Sequence, residues 1–211
     1  FRQAMRAAEC TVVIDVAMTE TAEQADWVLP ASSQYEKAEA TFFSAAFPEN
    51  MFHLRPAILE PLEGTLSEPE IHSRLVQATG VLDDIDFDAL RAAAEEGLQS
   101  FSEAFMNAAL ENKAVSEYGA VVLYETLGKT LPWEKQGGAV LWFSCQMVAQ
   151  KYPEQVRSAG HTGEGAELGN ALFQAVLDGE DGVIFTRHTH EEAFDFLTTP
   201  DQRIHLDIKE M

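Results

Sequence analysis

Basic residues are scarce in this chain: 14 Lys and Arg stand against 35 Asp and Glu, a formal charge of −21 at pH 7. With no cationic run or face to neutralise phosphates, nucleic acid is excluded as a partner. Only two cysteines occur in 211 residues, Cys10 and Cys145. That rules out a disulfide framework and any zinc or iron–sulfur site built from CxxC pairs. Cys145 lies in the apolar stretch Val140 to Val148, where a thiol behaves as a small buried hydrophobe. Long hydrophobic runs are missing as well. Even a run such as Ala139 to Phe143, which none exceeds, is far short of the roughly 18 residues of a spanning helix, so no membrane insertion is expected. A G-x-S-x-G nucleophile elbow and an H-E-x-x-H metal motif are both absent, and His161-Thr162-Gly163-Glu164-Gly165 lacks the ending of a phosphate loop.

What is present is ordinary globular material, 46% hydrophobic and 23% charged, enough for one core or one and a half. The acids are dispersed rather than gathered in a tail. They read as a solvated acidic surface, with recruitment of a basic partner as the alternative. A cytoplasmic address is the default.

Residues 12–44 carry the most information. Val12-Val13-Ile14 is a short apolar run ending in Asp15. A threonine-framed turn follows, Met18-Thr19-Glu20-Thr21, then a helical stretch from Ala22 to Ala25. A second apolar run, Trp27-Val28-Leu29, stops at Pro30. Strand, turn, short helix and strand form the βαβ unit of a parallel sheet. Ligands of such sheets bind at the carboxyl ends of the strands, where Asp15, Thr19 and Thr21 fall. Thr19 is placed to cap the helix, with Glu20 in its first turn, where an acid complements the dipole.

Further along, Ser33-x-x-Glu36 is a capping-box pattern that predicts another helix. Met51 to Arg55 is a candidate strand. Ser67-Glu68-Pro69-Glu70 starts a helix that Gly80 ends. From Asp86 the period is helical: Phe87, Leu90, Ala94, Leu98, Phe101, Phe105 and Ala109 predict one amphipathic helix of about seven turns. Val115 to Leu127 predicts a second helix, Gly137-Gly138 opens a third, and Leu168 to Val176 forms a fourth. Arg157 to Gly165 reads as a flexible surface loop. Gly182 to Thr186 is a strand, Glu191 to Leu197 a short helix, and Arg203 to Ile208 a last strand. His188-x-His190, beside Glu191 and Glu192, is the one pattern with metal-ligand spacing. A stand-alone metal hydrolase using His188 and His190 is the alternative it offers, against a simple turn before an acidic helix start.

The string D-x-x-M-T-E-T-A-x-x-A-D-x-V-L-P over Asp15 to Pro30, followed by Glu36-Lys37 and Thr41-Phe42, resembles the molybdopterin oxidoreductases of the dimethyl sulfoxide reductase and formate dehydrogenase type. Glu68-Pro69-Glu70-Ile71 through Leu75 to Gly80 resembles the helix closing the same domain. The likeness covers residues 1 to about 80. It departs from the family after Lys37: Ala40-Thr41-Phe42-Phe43-Ser44 and Pro48 to Phe52 stand where Gly-Thr-Phe and Glu-Gly-Arg are usual, which marks a divergent branch.

The resemblance implies a bis-molybdopterin guanine dinucleotide cofactor holding molybdenum or tungsten in the parent enzyme. Asp15 and Thr19 would contact the guanine or ribose edge, supported by Thr21 and Asp26. The family's metal-contacting and catalytic residues would lie upstream of Phe1, so the chain alone is expected to retain no metal and to be inactive. The expected fold is α/β and mainly helical: from the resemblance, a partial parallel, Rossmann-like sheet with flanking helices over residues 1–82, and from the helical period after Asp86, a mainly helical subdomain over 83–211 that ends in a lead-in strand. The expected partners are the remaining domains of the same large subunit and an electron-transfer subunit.

Overall fold

The computed structural model describes residues 1–41 and 47–205. It is mixed α/β and mainly helical. After a short helix α1 (Arg2–Ala7), β1 (Val12–Asp15) and β2 (Trp27–Pro30) pair in parallel, with Val12 opposite Trp27 and Asp15 opposite Pro30. The crossover between them is a single 3₁₀ turn, Ala22–Gln24, shorter than the helix usual in such a unit. A separate sheet has the strand order β3 (Glu39–Thr41), β4 (Glu49–Arg55), β5 (Val183–Arg187), and β4 and β5 run antiparallel.

The chain forms two compact units. One comprises Phe1–Ala40 with Leu54–Ser144, the other Thr41–His53 with Cys145–Met211. Both are discontinuous in sequence. Residues 83–144 fold in the same unit as the parallel pair.

In the first unit the helices are α2 (Glu68–Gln77), α3 (Phe87–Glu96), α4 (Leu98–Glu111), α5 (Lys113–Glu117) and α6 (Gly119–Leu123). Asp86 caps α3 by accepting from the Ala89 amide at 2.9 Å. The expected seven-turn helix is two helices, because Gly97 sits at φ 134°, ψ 168°, a conformation essentially reserved for glycine. The apolar face nevertheless continues across the break. Phe101 and Phe105 of α4 each make an edge contact with Trp142 at a centroid distance of 5.3 Å, and their own rings are tilted with centroids 5.7 Å apart. Phe101 is fully buried and Trp142 nearly so, each contributing about 1.5–3 kcal/mol of burial. The second expected helix is likewise subdivided. Asn112 caps α5 through the Ala114 amide, and α6 continues into a π-helical turn, Tyr124–Gly128.

Ser33 and Glu36 do bond reciprocally, Ser33 N to Glu36 Oε2 at 2.7 Å and Glu36 N to Ser33 O at 3.0 Å. They close a turn and start no helix, since the Glu36 amide donates to the Ser33 carbonyl instead of its hydroxyl; the other Glu36 oxygen accepts from the Leu62 amide at 3.1 Å and the chain proceeds to β3.

A 3₁₀ stretch, Trp133–Val140, leads into α7 (Leu141–Lys151), where Gly137-Gly138 had suggested an α-helix start. In the second unit, α8 (Pro153–Ser158) and α9 (Ala166–Asp178) carry the core residues Val156, Leu168, Leu172, Phe173 and Val176. The supposed flexible loop after α8 is tied down, with His161 Nε2 2.9 Å from the Ile184 carbonyl of β5. Glu191–Phe196 is 3₁₀. Residues 203–205 are not strand, and the rest of the predicted terminal strand, 206–208, lies outside the described residues, as does the Phe42 to Ser44 part of the motif.

Candidate functional site

The turn after β1 is built around one carboxylate. Asp15 Oδ1 accepts from the amides of Val16 at 2.8 Å and Ala17 at 3.4 Å, and its Oδ2 accepts from the Thr19 hydroxyl at 3.0 Å. Thr19 Oγ1 in turn accepts from the Ala22 amide at 3.3 Å, and its carbonyl accepts from Glu23 N at 2.9 Å. Thr19 is therefore the side-chain cap of the 3₁₀ turn, while Thr21 occupies the cap position by backbone alone. Thr21 is half-buried, whereas Val16, Met18, Thr19 and Glu20 are exposed. Asp15 and Thr19 thus stand together at the carboxyl end of a parallel strand. One lone-pair direction remains on Asp15 Oδ2 for an incoming N–H or O–H donor.

Asp26 is at the other end of the sheet. Its Oδ2 accepts from both the amide and the hydroxyl of Thr11 at 2.8 Å, and its own amide donates to Thr11 Oγ1 at 3.0 Å. Those bonds hold the Asp26 carboxyl below its ordinary value, the Thr11 hydroxyl contributing most. They lock the starts of β1 and β2 in register, a role in positioning the strands that the linear motif does not disclose.

A second constellation surrounds a cleft of about 180 Å³ between the start of α2 and the π-helical turn. Glu70 of α2 accepts from the Tyr124 hydroxyl at 2.9 Å, Lys129 Nζ at 3.0 Å and Arg74 Nε at 2.7 Å. Burial opposes its ionisation, but those three donors prevail and hold its pKa at about 2. Burial is also the largest influence on Tyr124, whose phenol is pushed up. Lys129 lies 4.2 Å above the Tyr124 ring. Glu125 Oε1 accepts from the buried Ser73 hydroxyl at 2.5 Å. Lys37, also on the cleft, is ion-paired with Glu68 and Glu39. The charges of Glu70, Lys129, Arg74 and Lys37 are paired within the chain, the pattern of a structural network. Only the Glu70/Arg74 and Glu125/Lys129 spacings signalled any of it in the sequence.

His188 is buried in the second unit among the rings of Phe196, Tyr152 and Phe47, at 5.2, 5.6 and 6.0 Å. Its Nδ1 is 3.2 Å from Glu192 Oε2, and Glu192 also accepts from the Thr189 amide and from Gln155. His190 is exposed. The two imidazoles do not share a ligand cluster, and among the described residues no group of three or more His, Cys, Asp or Glu side chains is arranged to hold a metal. Burial pushes the Cys145 thiol up to about 12, which makes it inert at neutral pH.

Comparison with family models, curated proteins and solved structures finds no match.

Proposed function

We propose that this chain is the cofactor-supporting segment of a molybdenum or tungsten oxidoreductase large subunit, formate dehydrogenase-like in type. In this reading the parallel pair belongs to a Rossmann-like sheet, and the turn after β1 borders a bis-molybdopterin guanine dinucleotide. The observation that carries it is the D-x-x-M-T-E-T-A-x-x-A-D-x-V-L-P string, together with the pairing of Asp15 and Thr19 at the carboxyl end of β1. The residues fit such a group in kind. Asp15, already oriented by three bonds, keeps an acceptor position for a guanine or ribose donor. Thr19 fixes the rotamer of that carboxylate, and Asp26 acts at a distance through strand register. When bound, the group supplies two-electron redox chemistry; the chain supplies hydrogen bonds and shape.

The test uses the polypeptide carrying this chain, produced in molybdate- or tungstate-supplied cells. Asp15→Ala is expected to lower bound metal about tenfold or more, the loss of a charge-assisted hydrogen bond worth roughly 1.5–3 kcal/mol. Asp86→Ala, which removes the side-chain cap of α3, serves as the stability control and leaves metal content near parental. Parental metal content in Asp15→Ala, or equal loss in both variants, sinks the assignment.

A second reading, an acidic module that binds a basic partner, is favoured by the charge of −21.

A further inference from the structure

A groove runs along the first unit between α4 and the α5–α6 segment, with a volume of about 410 Å³. Its floor is the buried pair Phe105 and Leu123. Met106 and Phe143 stand on its margins with about half of their surface in water, and Leu110, on the next turn of α4, is 82% exposed. The far wall is low because Gly119 and Ala120 carry little or no side chain, and a Cβ added at Gly119 would meet no atom within 4 Å. An apolar floor between walls of small residues, margined by methionine and phenylalanine, is the shape that receives one face of a helix.

Charge determines what kind of helix. α4, Leu98–Glu111, contains no basic residue, and Glu103, one turn before the margin residue Met106, is exposed on it. Glu117, on the opposite wall, is neutralised by Lys113. A second copy of a chain with formal charge −21 is repelled by like net charge, and an anionic lipid surface in the same way.

We propose that the groove between α4 and α6 is a docking site for an amphipathic helical segment of a partner polypeptide. That segment has an apolar stripe at i, i+3, i+4, i+7 spacing, flanked by Lys or Arg. The apolar stripe supplies affinity and the basic flanks supply partner choice and encounter rate.

The test uses the whole chain and two fluorescein-labelled 18-residue leucine–lysine peptides of identical composition. In one the leucines share a helical face; in the other they are spread around it. The facial peptide is expected to bind at least tenfold more tightly. Its binding weakens between 50 and 200 mM salt, and is lost in Ala120→Arg, which both fills and repels. Ala120 is exposed, so the variant should keep the parental melting temperature; should it not, Met106→Lys on the other wall replaces it. Equal binding of the two peptides, or undiminished binding by the folded variant, overturns the proposal. So does concentration-dependent dimerisation that Ala120→Arg abolishes, since the occupant is then a second copy. Groove-dependent retention on neutral phosphatidylcholine vesicles equally overturns it in favour of a membrane.

Discussion

Thr19 serves two neighbours, donating to Asp15 and accepting from the Ala22 amide. Thr19→Ala therefore removes a cap and frees a carboxylate. A loss of about 1 kcal/mol in urea denaturation is expected, and an unchanged midpoint would show that the turn is held by backbone bonds alone. Glu70 yields a pH prediction. Its carboxyl titrates near 2 in the folded chain, against an ordinary 4.5, because three donors outweigh burial. The unfolded chain accordingly binds more protons between those values, and the stability that Glu70 contributes is complete above about pH 5 and lost as pH falls towards 2. Urea midpoints measured down that range should decline less steeply in Glu70→Gln than in the parent. Parallel curves would mean that Arg74, Lys129 and Tyr124 do not depress it. The residue types that make the Asp15 turn were legible in the motif. The Glu70 network was not, since Tyr124 and Lys129 lie more than fifty positions from their acceptor and nothing in the linear order marks such a pair.

At the scale of elements, single backbone conformations outrank periodicity. The apolar spacing from Phe87 to Ala109 is continuous, yet Gly97 turns at φ 134° and the axis breaks. Nothing lies within 4 Å of a Cβ built there, so the cost of Gly97→Ala is conformational alone. A loss of roughly 1–3 kcal/mol in thermal or urea denaturation is expected, and an asparagine should rescue little, because this region, unlike the ordinary left-handed one, is closed to it. A stabilised Gly97→Ala would mean that α3 and α4 can merge. The same limit applies to the capping box at Ser33: the Glu36 carboxylate accepts from the Ser33 amide as the pattern predicts, but the Glu36 amide donates to the Ser33 carbonyl instead of its hydroxyl and a turn resulted.

For the whole molecule, an excess of 35 acids over 14 bases means self-repulsion in the compact state. Raising sodium chloride from 10 to 150 mM should raise the melting temperature, as the screening length falls from about 30 to 8 Å. A decrease would mean that ion pairs such as Lys129–Glu70 dominate over repulsion. Sequence alone determined the mixed, mainly helical class, the parallel βαβ start and the burial of Cys145, since these follow from spacing and composition that each residue carries locally. It also placed Asp15 and Thr19 at one strand end, because they are four residues apart across a single turn. Tertiary structure decided the rest. Asp26 went to the opposite end of the sheet to bond Thr11, and His188 was enclosed by aromatic rings rather than set beside His190. The chain also divided into units that interleave along its length. The physical reason is common to all three: a side chain's partner is chosen by what packing brings within about 3 Å for a hydrogen bond or 6 Å for a ring contact, and those neighbours come from chain segments far apart in the linear order.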